Sequence, residues 1–263
     1  MVGTMGSTSE FVSGVPHPRL RPFVGEYSGY RISGIGPGVH VGLPSRSLTF
    51  IVAFDQPVDV ATATGGRDEF WAMLAGLHAR PASIRHDGTQ HGVQVEVTPA
   101  GVAALFDAPA GELVSQVVHL IDRLATAASW RARWAVLDDI LLRRLSAKCG
   151  VDPVLAHAWE ALVGGHGSIP VADLAALAGW DRHHFSRRFT STFGLSPKVM
   201  SRVVRFERAQ QMLRLPTHPS LASVAAACGY ADQAHMTRDW NEFAGAPPTA
   251  WMLDEMLPFV QDN

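Results

Sequence analysis

Cysteine, long apolar runs and catalytic signatures are all scarce in this sequence. Only two cysteines, Cys149 and Cys228, occur in 263 residues, too few and too isolated for a disulfide framework or a zinc cluster, which favours a reducing compartment. No run of about 18 apolar residues is present to cross a bilayer, and Met1–Glu10 has neither a basic nor an apolar signal region. We therefore expect a cytoplasmic protein without a membrane partner.

The signatures of common enzymes are also missing. The sequence contains no Gly-x-Ser-x-Gly elbow, no phosphate-binding glycine loop followed by Lys and Ser/Thr, no His-Glu-x-x-His and no Cys-x-x-Cys. His183 and His184 are adjacent, but neighbours on a helix point about 100° apart and cannot share one metal ion without a distant third ligand. The sequence thus predicts no enzyme, no cofactor and no metal site.

Charge is distributed unevenly along the chain. The formal net charge is −2, which by itself argues against a nucleic-acid partner. Residues 168–252, however, hold nine Lys and Arg against six Asp and Glu, whereas the remainder holds 13 against 18. A basic module joined to a more acidic one is typical of a DNA-binding domain attached to a partner domain.

The patterns predict an α+β chain, with a strand-rich N-terminal domain and flanking helices followed by an all-α double helix-turn-helix domain. Short apolar runs punctuated by glycine and proline predict strands over about 27–97, and helical periodicity takes over at about 99–163. The predicted divisions are a disordered lead over 1–15, an N-terminal effector-binding and/or dimerisation domain over 16–163, a linker over 164–168, a DNA-binding domain over 169–252 and a tail over 253–263.

Ile169–Pro248 contains one supersecondary pattern twice. Gly179 and Gly229 each end a short apolar helix, where a tight turn between two crossing helices requires a positive φ. In the first copy, Phe185, Phe189 and Phe193 share one helix face and are expected in the core, with Leu174, Ala175 and Leu177 of the preceding helix. In the second copy, Met236, Trp240 and Phe243 or Ala244 take the inward positions. A connecting helix over Lys198–Leu215 is expected to hold Arg202, Arg205 and Arg208 in solvent.

The opposite face of each second helix is polar and partly basic. Such a face can enter the major groove and present hydrogen-bonding groups to base edges and phosphates. The predicted DNA-contacting residues are Arg182, His183, Ser186, Arg187 and Thr190 in the first copy and Gln233, His235, Thr237 and Arg238 in the second. For the remaining member of the histidine pair, His184, packing or capping is expected.

These residues resemble the DNA-binding module of AraC-type transcriptional regulators. The resemblance rests on Phe185-Ser186-Arg187-Arg188-Phe189, Gly194-Leu195-Ser196-Pro197, Arg205-Phe206-Glu207-Arg208-Ala209 and Gly229-Tyr230-Ala231-Asp232-Gln233-Ala234-His235. It implies two helix-turn-helix units joined by a long helix, with base and phosphate contacts in both. Asp239 and Trp240 depart from the family pattern, and Asp239 beside DNA is expected to repel phosphate and weaken the second unit.

The N-terminal region resembles the front domain of a subset of these regulators, through Gly42-Leu43-Pro44-Ser45, Leu48–Val52 and Gly92–Val95. It lacks the His-x-His and downstream Glu of a metal cupin, so no jelly roll is assigned from the family. The expected partners are double-stranded DNA, a small organic effector, RNA polymerase if the protein activates, and a second copy in a homodimer. The residues predicted to line an effector pocket are Tyr30, Arg46, Phe54, Trp71, His78 and Arg80.

Three functions remain open at this point. The first is a regulator whose N-terminal domain binds an effector and changes dimer geometry or inter-domain contact. The second is a regulator whose N-terminal domain only dimerises. The third is an enzyme or sensor domain fused to a DNA anchor.

Overall fold

A computed structural model describes residues 8–61, 67–106, 121, 123–145 and 151–255 of the chain. A strand-rich N-terminal region of two antiparallel sheets is followed by a helical C-terminal region. This arrangement confirms the predicted α+β class. The predicted tail beyond Glu255, the first seven residues and most of the predicted helix around Leu113–Leu124 lie outside the described residues.

The two sheets are built from strands that alternate between them along the chain. The five-stranded sheet has the order β1-β2-β9-β4-β7, with strands Thr8–Gly14 (β1), Val24–Ser33 (β2), Leu48–Ala53 (β4), Ala72–Ala75 (β7) and Gln90–Val97 (β9). The four-stranded sheet has the order β3-β8-β5-β6, with strands Gly38–Gly42 (β3), Val58–Ala61 (β5), Arg67–Phe70 (β6) and Ala82–His86 (β8).

Strand β1 corrects the prediction of a disordered lead over 1–15. Its polar residues are exposed, but its backbone pairs antiparallel with β2 from Thr8↔Ser33 to Gly14↔Tyr27. An edge strand needs backbone partners more than a core, which the composition of this segment did not reveal. Glu10 also accepts a 2.9 Å hydrogen bond from the indole of Trp130.

The five-stranded sheet has its hydrophobic core on one face. Val93, Val95 and Val97 of β9 are at most 1% exposed. They pack in one cluster with residues of two helices, Pro99–Phe106 (α1) and Trp130–Arg144 (α2). Val93, Val95 and Val97 alternate in the sequence with Gln94 and Glu96, which is the pattern of a strand with one buried face. The opposite face of this sheet turns toward the four-stranded sheet.

The C-terminal region contains seven helices among the described residues, all around a single core. They are Pro153–Gly164 (α3), Val171–Leu177 (α4), Arg182–Phe193 (α5), Pro197–Leu213 (α6), Leu221–Ala227 (α7), Gln233–Ala244 (α8) and Pro248–Glu255 (α9). The predicted strands and the repeated helical units are thus present in the predicted order.

Helix α3 lies in the C-terminal core, which differs from the predicted domain boundary at 163. Asp152 caps this helix, because its side chain accepts a hydrogen bond from the backbone of Val154. Three α3 residues are fully buried among the C-terminal helices, and Trp159 lies 4.6 Å from Phe193, centroid to centroid. The predicted linker, 164–168, is consequently a turn within the C-terminal region, where buried Gly167 has φ +71°.

Candidate nucleic-acid interface

Both ends of helix α5 are defined by capping residues, Asp181 at its N-terminus and Gly194 at its C-terminus. The side chain of Asp181 accepts hydrogen bonds from the backbone of His183 and His184, both at 2.9 Å, and these bonds lower the pKa of its carboxyl group, the His184 bond most. At the other end Gly194 adopts φ +83°. The three aromatic residues predicted to face inward, Phe185, Phe189 and Phe193, are at most 6% exposed.

The outward face of α5 carries the predicted DNA-contacting residues. Arg182, His183, Arg187 and Thr190 are exposed, and Ser186 is half-buried between them. The Thr190 hydroxyl donates to the Ser186 carbonyl at 2.8 Å, which leaves its oxygen as an acceptor. This face combines two exposed arginines with hydroxyls, a composition suited to phosphates and base edges, and Arg187 Nη2 lies 3.4 Å from His184 Nδ1.

Helix α8 repeats α5 with an offset of 51 residues at every position. Asp232 is its cap and accepts from the backbone of His235 at 2.6 Å, and Gly245 ends it with φ +72°. Met236 and Trp240 are fully buried. Gln233 and Arg238 are exposed, and Thr237 is half-buried at the position of Ser186.

Two histidines, one in α5 and one in α8, have a packing role. His184 lies edge-on to Trp180, with centroids 4.9 Å apart, as the packing prediction required. His235 holds the equivalent place in α8, edge-on to Tyr230 at 5.3 Å. His235 is only half-exposed and its ring faces the turn, so the structure orients it less favourably toward DNA than the sequence pattern indicated.

Asp239 does not face solvent or DNA. It is 2% exposed, and its carboxylate accepts from Arg202 Nη2 at 2.7 Å and from Nε at 3.0 Å. The prediction that Asp239 would repel phosphate was wrong, because its position on the helix turns it toward α6. Arg202, predicted to stay solvated, has a side chain only 22% exposed.

The turn glycines have the predicted conformation. Gly179 has φ +69° and Gly229 has φ +75°, which L side chains rarely adopt. Leu174 and Ala175 before the first turn are buried as predicted, but Leu177 is 49% exposed. Leu177 lies one residue before the cap residue Ala178, and at that point the short helix turns its side chain out of the core.

The connecting helix α6 links the two units across the core. It has 17 residues, which corresponds to a length of about 25 Å at 1.5 Å per residue. Val203, Phe206, Gln210 and Leu213 are buried on one side of this helix. A straight rod of this length can hold two reading helices in successive segments of the major groove.

The described residues show none of the alternative sites that the sequence left conceivable. No helix in these ranges is long and apolar enough to cross a membrane, and no group of three His, Cys, Asp or Glu residues within them is arranged to hold a metal ion. Cys228 is 2% exposed, and burial raises the pKa of its thiol, which agrees with a core role.

A cavity of about 70 Å³ lies between the two sheets. Of the six predicted effector-pocket residues, only Tyr30 lines it. Trp71 is 46% exposed, Phe54 packs against His91 and Arg133, and Arg46, His78 and Arg80 lie in loops near the C-terminal region. Polar residues that the sequence pattern did not single out as a group provide most of the lining: His40, Gln56, Arg85, His86, Gln90, His91 and Gln94.

Burial lowers the pKa of the three histidines that line this cavity. Burial, and secondarily the neighbouring His86, lowers the pKa of His40 to about 4. Burial also lowers the pKa of His86 and of His91, and in His91 a hydrogen bond from the ring to the carboxylate of Asp55 opposes the effect. On β3 the order is the reverse of the usual one, because His40 lines the cavity while Val39 and Val41 are exposed, so the alternation of this strand did not indicate the site.

Two helix-turn-helix units on one connecting helix define the class of this C-terminal region. Residues 154–253 match the family model described as a helix-turn-helix domain. The match identifies this region as a helix-turn-helix domain.

Comparisons with individual proteins agree with this assignment. The chain is 30% identical over 69 residues to an uncharacterized HTH-type transcriptional regulator, YbfI, of Bacillus subtilis (strain 168), and that match spans 26% of the chain but only about a quarter of the relative (24%). The fold resembles wild-type ToxT from Vibrio cholerae with bound unsaturated fatty acid, with a TM-score of 0.54 and 9% identity over 100% of both chains. ToxT from Vibrio cholerae O395 gives 0.53 and 9%, over 89% of this chain and 98% of that one.

Proposed function

We propose that this protein is a sequence-specific DNA-binding transcriptional regulator whose N-terminal domain binds a small organic effector. The observation that carries the DNA-binding part is the equivalent placement of Arg187 and Arg238, both exposed, on two helices with identical caps and ends. Solubilising arginines have no reason to recur at one position of two capped helices. The neighbouring Ser186 and Thr237 supply hydrogen-bonding groups of the type that read base edges.

The cavity supports the effector. It lies between the two sheets, and its lining offers a phenol, amides and imidazoles whose pKa burial lowers, together with the guanidinium of Arg85. A small polar organic molecule suits such a lining. Fatty acid is bound by the structurally similar ToxT, whereas the polar lining here favours a smaller and more hydrophilic compound.

Strands β3 and β8 connect the cavity to the DNA-binding domain. In their antiparallel ladder, His40 pairs with Ile84 beside the cavity, and the ladder ends at Gly42 paired with Ala82. Beyond this end, the segment after β3 and the segment before β8 both pack against the helical core. Leu43 makes this contact after β3, and Leu77 and Ala79 make it before β8. A shift at the cavity therefore has a path of only a few residues to the helices.

Two polar contacts continue this path. Ser45 donates a 3.4 Å hydrogen bond to Glu207 of α6, and Arg46 Nε lies 3.6 Å from the same carboxylate. Burial raises the pKa of Glu207, and Arg46 opposes this effect. The loop before β8 reaches the second unit, where a methyl group placed on Gly245 would lie 3.9 Å from Pro81. An effector that moves β3 or β8 would thus change the support of both α6 and α8.

Selection of genomic fragments by the purified full-length chain tests the DNA-binding part. Retention of a small set of related sequences is expected, and retention of no fragment, or of random fragments in proportion to their charge alone, would contradict it. The exposed Arg131→Ala variant on α2 is a matched control and should select the same set.

A thermal-shift screen of small polar metabolites, followed by measurement of DNA affinity with each hit, tests the effector part. A true effector should raise Tm and change DNA affinity, and Tyr30→Phe with Gln94→Ala should abolish both effects while Trp71→Ala keeps them. Glu207→Gln should keep the shift in Tm and lose the change in DNA affinity. An N-terminal domain that only dimerises would give no hits and a dimer in sedimentation.

A further inference from the structure

Asp239 is a buried carboxylate on the inner side of α8. Helices α5 and α8 are the first and second of the two proposed DNA-reading helices. The side chain of Asp239 is 3% exposed. An ionised carboxylate in such a position is strongly destabilising unless a cation pairs with it. Arg202 of α6 provides that cation through two hydrogen bonds to one carboxylate oxygen, at 2.7 and 3.0 Å.

Arg202 also holds two further residues of the same helix. Its Nη2 lies 2.5 Å from Glu242 Oε2 and its Nη1 lies 3.4 Å from Glu242 Oε1. The guanidinium carbon stands 4.8 Å from the centroid of the Phe243 ring. Residues 239, 242 and 243 share one helix face because they are three and four positions apart. The Arg202 side chain of α6 therefore contacts α8 along a full turn.

The first helix-turn-helix unit has no equivalent set of contacts on its helix α5 among the described residues. The position that corresponds to Asp239 is Arg188, which pairs with Asp152 of α3 at 3.5 Å. That pair is open to solvent, with side-chain exposures of 48% and 33% against 22% and 3% for Arg202 and Asp239. Exposed pairs restrain geometry weakly, whereas a planar guanidinium with several buried or short contacts fixes it.

These contacts of Arg202 determine the direction in which the outward face of α8 points. Arg238 is adjacent to Asp239 and lies about 100° around the helix from it, and Thr237 and Gln233 share the outward side. A rotation of α8 about its axis would therefore redirect all three side chains. It would also change the separation between the two reading helices, because Arg202 belongs to the rod that joins them.

We propose that Arg202 is a positioning residue for DNA recognition, which sets the orientation of α8 against α6 and hence the half-site spacing that the protein accepts. This inference rests on the proposed DNA-binding function. Arg202 acts through Asp239 and Glu242 and need not touch DNA.

The test is the spacing preference of the full-length protein on a fragment retained in the genomic selection. Affinity is measured on that fragment and on versions with one base pair inserted or removed between its half-sites. The wild type should prefer the natural spacing by about tenfold, comparable to a mismatched base pair. The double variant Arg202→Met/Asp239→Leu replaces the ion pair by apolar side chains of similar size, which such sites often tolerate, and should reduce the preference to within about threefold.

Arg202→Lys, which keeps the charge and loses the planar fork, should give an intermediate preference and also serves if the double variant does not fold by circular dichroism. Arg188→Met is the control in the first unit and should keep the wild-type spacing preference. An undiminished preference in the folded double variant, or in Arg202→Lys if the double variant is unfolded, would overturn the positioning role. Failure of the wild type to retain any fragment would instead refute the proposed function.

Discussion

The two helix-turn-helix units share a framework and differ in how each is fastened. Asp181 and Asp232 cap their reading helices, Gly194 and Gly245 end them, and Phe189 and Trp240 are buried at the same position. The difference lies at one helix position, where the first unit has an exposed arginine and the second a buried aspartate. Duplicated units can thus keep one fold and still present their outward faces with different rigidity.

The shared framework predicts the largest effects, which should be equal in the two units. Phe189→Ala and Trp240→Ala each remove a fully buried aromatic side chain and should each lower the free energy of unfolding by about 3–5 kcal/mol. Denaturant unfolding followed by circular dichroism measures this. Leu177→Ala, at an exposed leucine, should change stability by less than about 0.5 kcal/mol. A loss confined to one of the two aromatic variants would break the equivalence of the units.

The difference between the fastenings predicts an unequal pair of effects. Asp239→Ala leaves Arg202 without its buried partner and should cost about 3 kcal/mol. Arg188→Ala removes an exposed ion pair and should cost less than about 1 kcal/mol. Equal losses in the same unfolding experiment would show that burial of the second pair has no consequence for stability.

A second contrast is between the dry C-terminal core and the polar cavity of the N-terminal region. In the folded protein, burial lowers the pKa of His40 from its ordinary value of 6.5 to about 4. Between these two pH values the unfolded chain therefore binds more protons than the folded protein. Stability from this group is therefore present above about pH 6.5 and is lost as the pH falls toward 4, by about 3 kcal/mol in total.

Unfolding measured across this range should show a smaller slope in His40→Gln. His183→Gln, at an exposed histidine of α5, should leave the slope unchanged. An identical pH profile in wild type and His40→Gln would mean that the cavity does not keep His40 neutral.

The repeat was predictable because it depends on short-range rules. Gly179, Gly229 and the aromatic positions follow from turn geometry and helical period, which are local properties of the chain. The side on which Asp239 lies did not follow from the repeat, because Arg188, its counterpart by sequence offset, is exposed whereas Asp239 is buried. Its partner Arg202, 37 positions earlier, was not predictable, because a cross-helix ion pair depends on how two helices cross.

The N-terminal site was less accessible to sequence reasoning. The buried face of β9 followed from its alternation, but the polar face was expected in solvent, whereas Gln94 lines a cavity under a second sheet. Pairing of β3 with β8 joins residues more than 40 positions apart, so His40 and His86 could not be brought together from local pattern. Helix α3 was assigned to the wrong region because Gly164-Gly165 resembles a linker when its packing is unknown.

Affinity of the arginine variants for a selected DNA fragment, over a series of salt concentrations, tests the central claim most directly. Arg187→Ala and Arg238→Ala should each weaken binding by roughly 1–3 kcal/mol, with relaxed specificity at one base pair if the side chain reads guanine, or a shallower salt dependence if it holds a phosphate. Arg131→Ala should bind like the wild type. Wild-type affinity and wild-type salt dependence in both reading-helix variants would contradict the assignment of α5 and α8 as the DNA-reading helices.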